Sequence, residues 1–379
     1  MKNLIATAAF GLEAIVKREV EALGFTDIKV QDGRIDFGVG GKSVFEGIPK
    51  ANLWLRCSDR VLLNMGEFKA LTFDELFEKT KALDWGALIP KNGKFTVLAK
   101  AVRSQLMSLS DIQSIVKKAV VEKLKQKYNI EHFEEDGPEY TIQAAILKDT
   151  VTITIDTTGQ RNALHKRGYR ERAYEAPLKE TMAAALISLS YWKPGRLLLD
   201  PTCGSGTLAI EAALMQKNIA PGLNRGFASE AWRQIPSGTW KEERKKAYSA
   251  IKLSTEPMIY ASDIDPQAVE VAGNNAIEAG VDDCIVFEAK PLSEISLPGD
   301  YGIAISNPPY GERLGRMEEI HKLYSEMGSL FKNPTWSVYV LTSDEFFEES
   351  YGKRADKKRK LFNGNIKTDY YQYFGKRPK

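Results

Sequence analysis

Leu199-Asp200-Pro201-Thr202-Cys203-Gly204-Ser205-Gly206-Thr207 decides how this chain folds. A buried-looking strand over residues 196–200 ends in an acid. Two closely spaced glycines follow, and then an apolar stretch with helical spacing over 208–216. That order reads as strand, tight turn, helix. Downstream the alternation continues. Strands are predicted at 258–262, 285–289, 301–306, 337–342 and 366–374, with helices at 267–279 and 320–332. A helix over 177–191 precedes the set. Strands alternating with helices imply a parallel sheet, so this half is α/β.

The N-terminal half has a different rhythm. Residues 1–23 read as a strand and an amphipathic helix rather than a signal peptide, because the apolar stretch is short and runs into a helical pattern. Two short extended stretches flank Asp32-Gly33, a helix is predicted at 44–51, and a strand at 60–68. Residues 95–102 alternate as a strand. Ser110 with Gln113 forms a capping-box pattern for a helix over 111–128. Residues 140–147 and 150–157 read as a hairpin across Lys148-Asp149. Four segments result: 1–68, 69–158, a basic linker at 159–176, and 177–379.

A chain of 379 residues exceeds one typical domain. No apolar run is long enough to span a bilayer. Three cysteines, at 57, 203 and 284, and three histidines give no metal-ligand spacing, so no metal is expected. Unpaired cysteines suit a reducing cytoplasm. The net charge of +3 is too small to establish a polyanionic partner, but its distribution is uneven. Arg161, His165, Lys166, Arg167, Arg170 and Arg172 crowd one segment. Lys353, Arg354, Lys357, Lys358, Arg359 and Lys360 crowd another. Each is either a phosphate-attracting stripe or a solvated surface.

In a parallel sheet, ligands bind beyond the carboxyl ends of the strands. Residues 200–207 sit at such an end. The glycines let a ligand approach backbone amides, and the helix start offers unpaired N–H groups. No Gly-Lys-Ser/Thr follows, so this is not a nucleoside-triphosphate loop. The next strand ends Ser262-Asp263-Ile264-Asp265. Asp263 is placed to accept two ribose hydroxyls, Ile264 to lie against a purine face, and Asp265 to cap the next helix.

Ser306-Asn307-Pro308-Pro309-Tyr310 follows another strand end. Two prolines remove N–H donors, so the loop carbonyls there only accept. An exocyclic amine offers two hydrogens. The Asn307 side-chain oxygen and the Pro308 carbonyl are able to take one each, and Tyr310 to stack on the base. Together the two loops point to methylation of an amino nitrogen on a flat base, catalysed by positioning.

On these motifs the chain resembles class I S-adenosylmethionine-dependent methyltransferases acting on exocyclic amines. The resemblance makes residues 200–207 motif I, Asp263 motif II and Asn307–Tyr310 motif IV; Pro177-Leu178-Lys179-Glu180-Thr181 looks like motif X. Residues 95–157 resemble a THUMP domain, an RNA-binding module. With the ferredoxin-like N-terminal segment and Leu164-His165-Lys166-Arg167-Gly168-Tyr169-Arg170, the whole chain is similar to the RlmL-type guanine-N2 methyltransferases of 23S ribosomal RNA. That group has also been described as N6-adenine-specific DNA methylases.

The resemblance implies a Rossmann-like seven-stranded methyltransferase domain, with residues 366–374 as its antiparallel strand, behind ferredoxin-like and THUMP α/β domains. It implies S-adenosyl-L-methionine as cofactor, held by Lys179, Asp200, Thr202, Cys203, Gly204, Ser205, Gly206, Thr207, Asp263, Ile264, Ala289 and Asn307. Asn307, Pro308, Pro309 and Tyr310 become the catalytic set, and Lys166, Arg167 and Arg170 contacts to RNA. The expected partner is 23S rRNA or a pre-50S particle. One position departs from the pattern: Lys290 stands where many relatives carry an acid that receives the cofactor's adenine amine, leaving Glu288 as the nearest acid.

Other readings remain open. The amine-binding loop does not separate guanine N2 from adenine N6, and a tRNA substrate is the nearest rival. A non-enzymatic ribosome assembly factor would bind RNA without turnover. A nicotinamide oxidoreductase would want a third glycine where Ala209 stands, and would leave 307–310 without a purpose. The six tryptophans are scattered and read as packing. Cys203 reads as a filler rather than a nucleophile. The aromatic-rich insert at 225–240 reads equally as a lid or a substrate contact.

Overall fold

A computed structural model describes residues 3–170, 178–253, 258–309 and 317–377. The chain divides into two compact units. The first gathers the residues through Ala8, Val16–Leu164 and Arg225–Lys245, and the second Ala9–Ile15, His165–Asn224 and the chain from Lys246 onward. Among the described residues, no helix is long and apolar enough to cross a membrane.

The first unit is built on β1 (Leu4–Thr7), β2 (Thr26–Gln31), β3 (Arg34–Gly38), β4 (Val61–Lys69), β5 (Lys94–Val102), β6 (Glu139–Leu147) and β7 (Thr150–Asp156). They form one sheet in the order β2-β3-β1-β4-β7-β6-β5. Helices α1 (Glu13–Ala22), α2 (Val44–Trp54), α3 (Phe73–Lys81) and α4 (Leu109–Tyr128) lie between them in sequence. The segment division expected near residue 68 falls inside β4. That strand pairs with β1 on one side and β7 on the other, so one sheet runs through both N-terminal segments. Lys148 and Asp149 join β6 to β7 with φ of 50° and 62°, the positive values that a two-residue hairpin of this twist requires.

Two local expectations change. Helix α4 starts at Leu109 with Ser108 at its N-cap, so Ser110 lies within the first turn and does not open a capping box. The insert at 225–240 is anchored by packing. It belongs to the first unit, where Trp232 stacks on Tyr140 with centroids 5.1 Å apart and Gln234 Nε2 donates to the Ala87 and Leu88 carbonyls.

The second unit runs α5 (Glu180–Leu189), β8 (Leu198–Asp200), α6 (Thr207–Gln216), α7 (Thr239–Ser249, shared with the first unit), β9 (Ile259–Asp263), α8 (Pro266–Ala279) and β10 (Ile285–Ala289). It continues with β11 (Ile303–Ser306), α9 (Met317–Leu330), β12 (Ser337–Thr342), α10 (Phe347–Tyr351), β13 (Lys357–Asn363) and β14 (Ile366–Tyr373). The sheet order is β10-β9-β8-β11-β12-β14-β13. Neighbours from β10 to β12 are parallel, and β14 is antiparallel to both of its neighbours. Residues 366–374 therefore take the expected antiparallel place.

The helix expected from Pro177 begins at Glu180; Pro177, like Arg172 and Tyr310, lies outside the described residues. The basic run at 353–360 leads into β13, an edge strand. Lys358 there pairs with Glu348 and lies 4.9 Å over the Tyr371 ring. Lysines on an edge strand deter pairing with other chains, a sufficient reason for part of that charge.

Candidate active site

Strand β8 has β9 on one side and β11 on the other, and the chain order switches direction there. A crevice opens beyond the carboxyl ends at such a point. Asp200, Asp263 and Asn307 stand at or just past the ends of these three adjacent strands.

The loops are laced together. The Cys203 N–H donates to the Ser262 carbonyl at 2.9 Å, joining the glycine loop to β9. The Thr202 and Ser306 hydroxyls share a hydrogen bond of 2.7 Å, joining it to β11. Asp263 works on both sides: Oδ2 accepts from the Gly204 N–H at 2.9 Å and Oδ1 from the Asp265 N–H at 3.1 Å. Sequence reasoning gave Asp263 only a ligand role and missed this one. A carboxylate offers about four lone-pair directions, so two backbone bonds leave it able to accept more. Asp265 caps α8, its Oδ1 accepting from the Gln267 N–H at 2.9 Å.

Gly206 is the N-cap of α6 with φ of 79°, and a Cβ there would lie 2.9 Å from the Ala272 Cβ on α8. Without a capping side chain, the first-turn amides of α6 are left for a ligand. Ser205 is buried, and its carbonyl accepts from Nδ2 of buried Asn275, another residue that sequence reasoning did not single out.

The electrostatics are those of a dry loop. Burial lifts the Asp200 carboxyl from 3.8 to about 8, with the Thr202 amide opposing the shift and the Asp263 charge adding to it. Burial also holds the Cys203 thiol well above its ordinary range, so it stays protonated, as a filler rather than a nucleophile. Ile264 is 74% exposed beside Asp263, free to meet a flat ring. Ala289 stands opposite Asp263 in the β9–β10 register. Lys290 pairs with Glu288 at 2.6 Å, and its own N–H is already given to the Asp263 carbonyl.

On the other side of β8, Asn307 is half-buried. Its Oδ1 is sealed from solvent with no hydrogen-bond donor among the described residues, and Ser262 Oγ is in the same position. An unsatisfied buried acceptor is costly, and here it stands at the open end of the sheet. Pro308 is buried and Pro309 exposed.

The basic segment divides. Lys166 and Lys179 are exposed, and Lys179 is the N-cap of α5. Arg167 turns inward and is 3% exposed; Nε lies 3.2 Å from Oε1 of fully buried Glu211. Arg170 donates to Thr207 Oγ1 at 2.7 Å and lies 3.4 Å from Glu180 Oε1. The expectation that both arginines face RNA as part of a basic surface is corrected: their charges are spent on buried carboxylates.

Three family descriptions match this chain. Residues 3–62 match the RlmL ferredoxin-like domain, 70–156 the THUMP domain, and 167–372 the RMKL-like methyltransferase domain. The chain is 50% identical to YpsC of Bacillus subtilis (strain 168), whose given name, an RNA methyltransferase, marks that activity as an inference; the match covers 99% of this chain and 96% of that one. A crystal structure of a predicted N6-adenine-specific DNA methylase from Listeria monocytogenes str. 4b F2365 superposes with a TM-score of 0.93 at 49% identity, covering 99% of this chain and 97% of that one. The methyltransferase-like SMU.472, crystallised with SAH, superposes with a TM-score of 0.92 at 45% identity over 100% and 99% of the two chains.

Proposed function

Because the chain belongs to the RMKL-like methyltransferase family with RlmL ferredoxin-like and THUMP domains, we propose that it methylates the exocyclic N2 amine of a guanine in 23S rRNA. It is an S-adenosylmethionine-dependent methyltransferase. The residues present fit that cofactor. The first-turn amides of α6 are uncapped, Asp263 can accept further hydrogen bonds at the end of β9, and Ile264 offers an apolar face beside it. Bound there, the cofactor supplies an electrophilic methyl group on a sulfonium.

The observation that carries the reading is Asn307 Oδ1, a buried acceptor without a donor among the described residues. It receives one amine hydrogen, the Pro308 carbonyl receives the other, and the nitrogen lone pair is left directed at the methyl carbon. The N–C bond forms as the C–S bond breaks, and the nitrogen then loses a proton to solvent. Catalysis is by orientation and placement of charge, with no strong base required. The THUMP domain supports RNA as the substrate. The Listeria relative's description keeps adenine N6 as a second reading, since the same two acceptors serve either amine.

The test is transfer of labelled methyl from S-adenosylmethionine to unmodified 23S rRNA, a pre-50S particle, bulk tRNA and duplex DNA, with nucleoside identification. N2-methylguanosine in 23S rRNA is the expected product. Label in tRNA or as N6-methyladenine replaces the substrate, and no label in any arm favours a binding factor.

A further inference from the structure

The segment 167–170 contacts the first two turns of α6, and its charges are balanced there. Arg167 and Arg170 face Glu211 and Glu180. A site for polyanions carries excess positive charge; this cluster carries none. Thr207 and Glu211 are four residues apart on α6 and so share one face. Arg167 and the Tyr169 hydroxyl, 3.4 Å from Glu211 Oε1, grip the second turn. Arg170 grips the first through Thr207 Oγ1, and its NH2 also donates to the Leu178 carbonyl at 3.3 Å, just before α5. Gly168, with φ of 104°, lets the segment turn where a Cβ would lie 3.0 Å from the Asn224 carbonyl oxygen.

One guanidinium thus ties the start of α5 to the start of α6. Gly206 supplies no side-chain cap, so the first turn of α6 has no hold from its own N-cap side chain. Its fixing comes from behind, through the Thr207 hydroxyl. We propose that Arg170, seated by the buried Arg167–Glu211 pair, is a positioning residue that holds the N-terminal amides of α6 in the geometry that receives the cofactor. The inference rests on the cofactor site proposed above. A planar fork suits the task, because it reaches several acceptors in fixed directions and a lysine ammonium does not.

The experiment measures SAH affinity by calorimetry, 23S rRNA affinity against salt, steady-state kinetics and melting temperature for wild type, Arg170→Lys, Thr207→Val and the double variant. Arg170→Lys is expected to weaken SAH binding about tenfold, the loss of one charged hydrogen bond. KM for S-adenosylmethionine rises in step, while kcat at saturation and the salt slope of RNA binding stay near wild type. Thr207→Val, which removes the hydroxyl that Arg170 grips, moves SAH affinity the same way without deleting a charge, and the double variant loses no more than either single one, because the two act through one contact. Wild-type SAH affinity in both variants overturns the proposal. So does an RNA affinity loss in Arg170→Lys with a salt slope lower by about one, the signature of a phosphate contact. A lowered melting temperature without a KM change also overturns it, by reducing the role to stability. A wild-type protein that does not bind SAH refutes the cofactor site itself, a result distinct from any failure of the variants.

Discussion

Asp263 Oδ2 accepts a hydrogen bond from the Gly204 N–H at 2.9 Å, so the acid at the end of β9 also holds the glycine loop beyond β8. Removing it deprives a ligand of an acceptor and the loop of its anchor at once. Asp263→Ala is expected to weaken SAH binding about a hundredfold, two charge-assisted hydrogen bonds' worth. Calorimetry measures this, and faster hydrogen exchange at Gly204 reports the loop. Unchanged SAH affinity would remove Asp263 from the cofactor site.

Asn307→Ala separates binding from chemistry. Its Oδ1 has no donor among the described residues, so its deletion breaks no hydrogen bond there and even relieves a buried acceptor. Stability should hold and SAH affinity stay within a few-fold. Methyl transfer should fall by about a thousandfold, the order seen when one transition-state hydrogen-bonding group is removed. Normal turnover in this variant defeats the amine-orienting role.

Gly206 and Gly204 look alike in the sequence and differ in their surroundings. Both have positive φ, but only at Gly206 does an added Cβ meet backbone-borne carbon, 2.9 Å from Ala272 Cβ. Gly204→Ala should cost about 1 kcal/mol, for the backbone alone. Gly206→Ala should cost about 1–3 kcal/mol more, for the forced shift of α6 against α8. Denaturant unfolding of the two variants gives the difference, and equal costs would rule out the close approach.

The strands carrying Asp200, Asp263 and Asn307 were legible because each combines an apolar run with a local terminator. Glycine, aspartate and proline act on their own backbone, so their meaning survives without a fold. Arg167 and Arg170 were misread for the opposite reason. A charge declares its sign but not its partner, and Glu211 lies a whole helix away in sequence. Strand β13 hid because Lys357, Lys358, Arg359 and Lys360 suppress the alternation that marks a strand, a pattern open only to an edge. The destination of the insert was likewise set by a distant contact, Trp232 on Tyr140.

That contact makes a prediction about truncation. Trp232 is 2% exposed and belongs to the first unit although it is encoded beyond α6. Trp232→Ala should destabilise the first unit by about 3–5 kcal/mol, weakening RNA binding while SAH affinity persists. A chain starting at residue 158 should aggregate, because it bares the Trp232 surface that Tyr140 covers. Differential scanning calorimetry of the point variant and solubility of the truncation check the two. A soluble, monodisperse truncation would show the insert to be independent of the N-terminal sheet.

Asp200 sets a pH dependence with a definite sign. Its carboxyl titrates near 8 in the folded protein and near 3.8 when exposed, chiefly through burial. Between those values the folded state holds a proton that the unfolded state has released. Stability from this group is therefore fully present below about pH 4 and is lost progressively as pH rises toward about 8. Asp200→Asn keeps the shape and the acceptor for the Thr202 amide but cannot ionise. Its stability should change less between pH 5 and 8 than that of wild type, with the variant gaining on wild type as pH rises. Denaturant midpoints across that range decide it. Parallel pH profiles would mean that Asp200 is ionised in the folded loop.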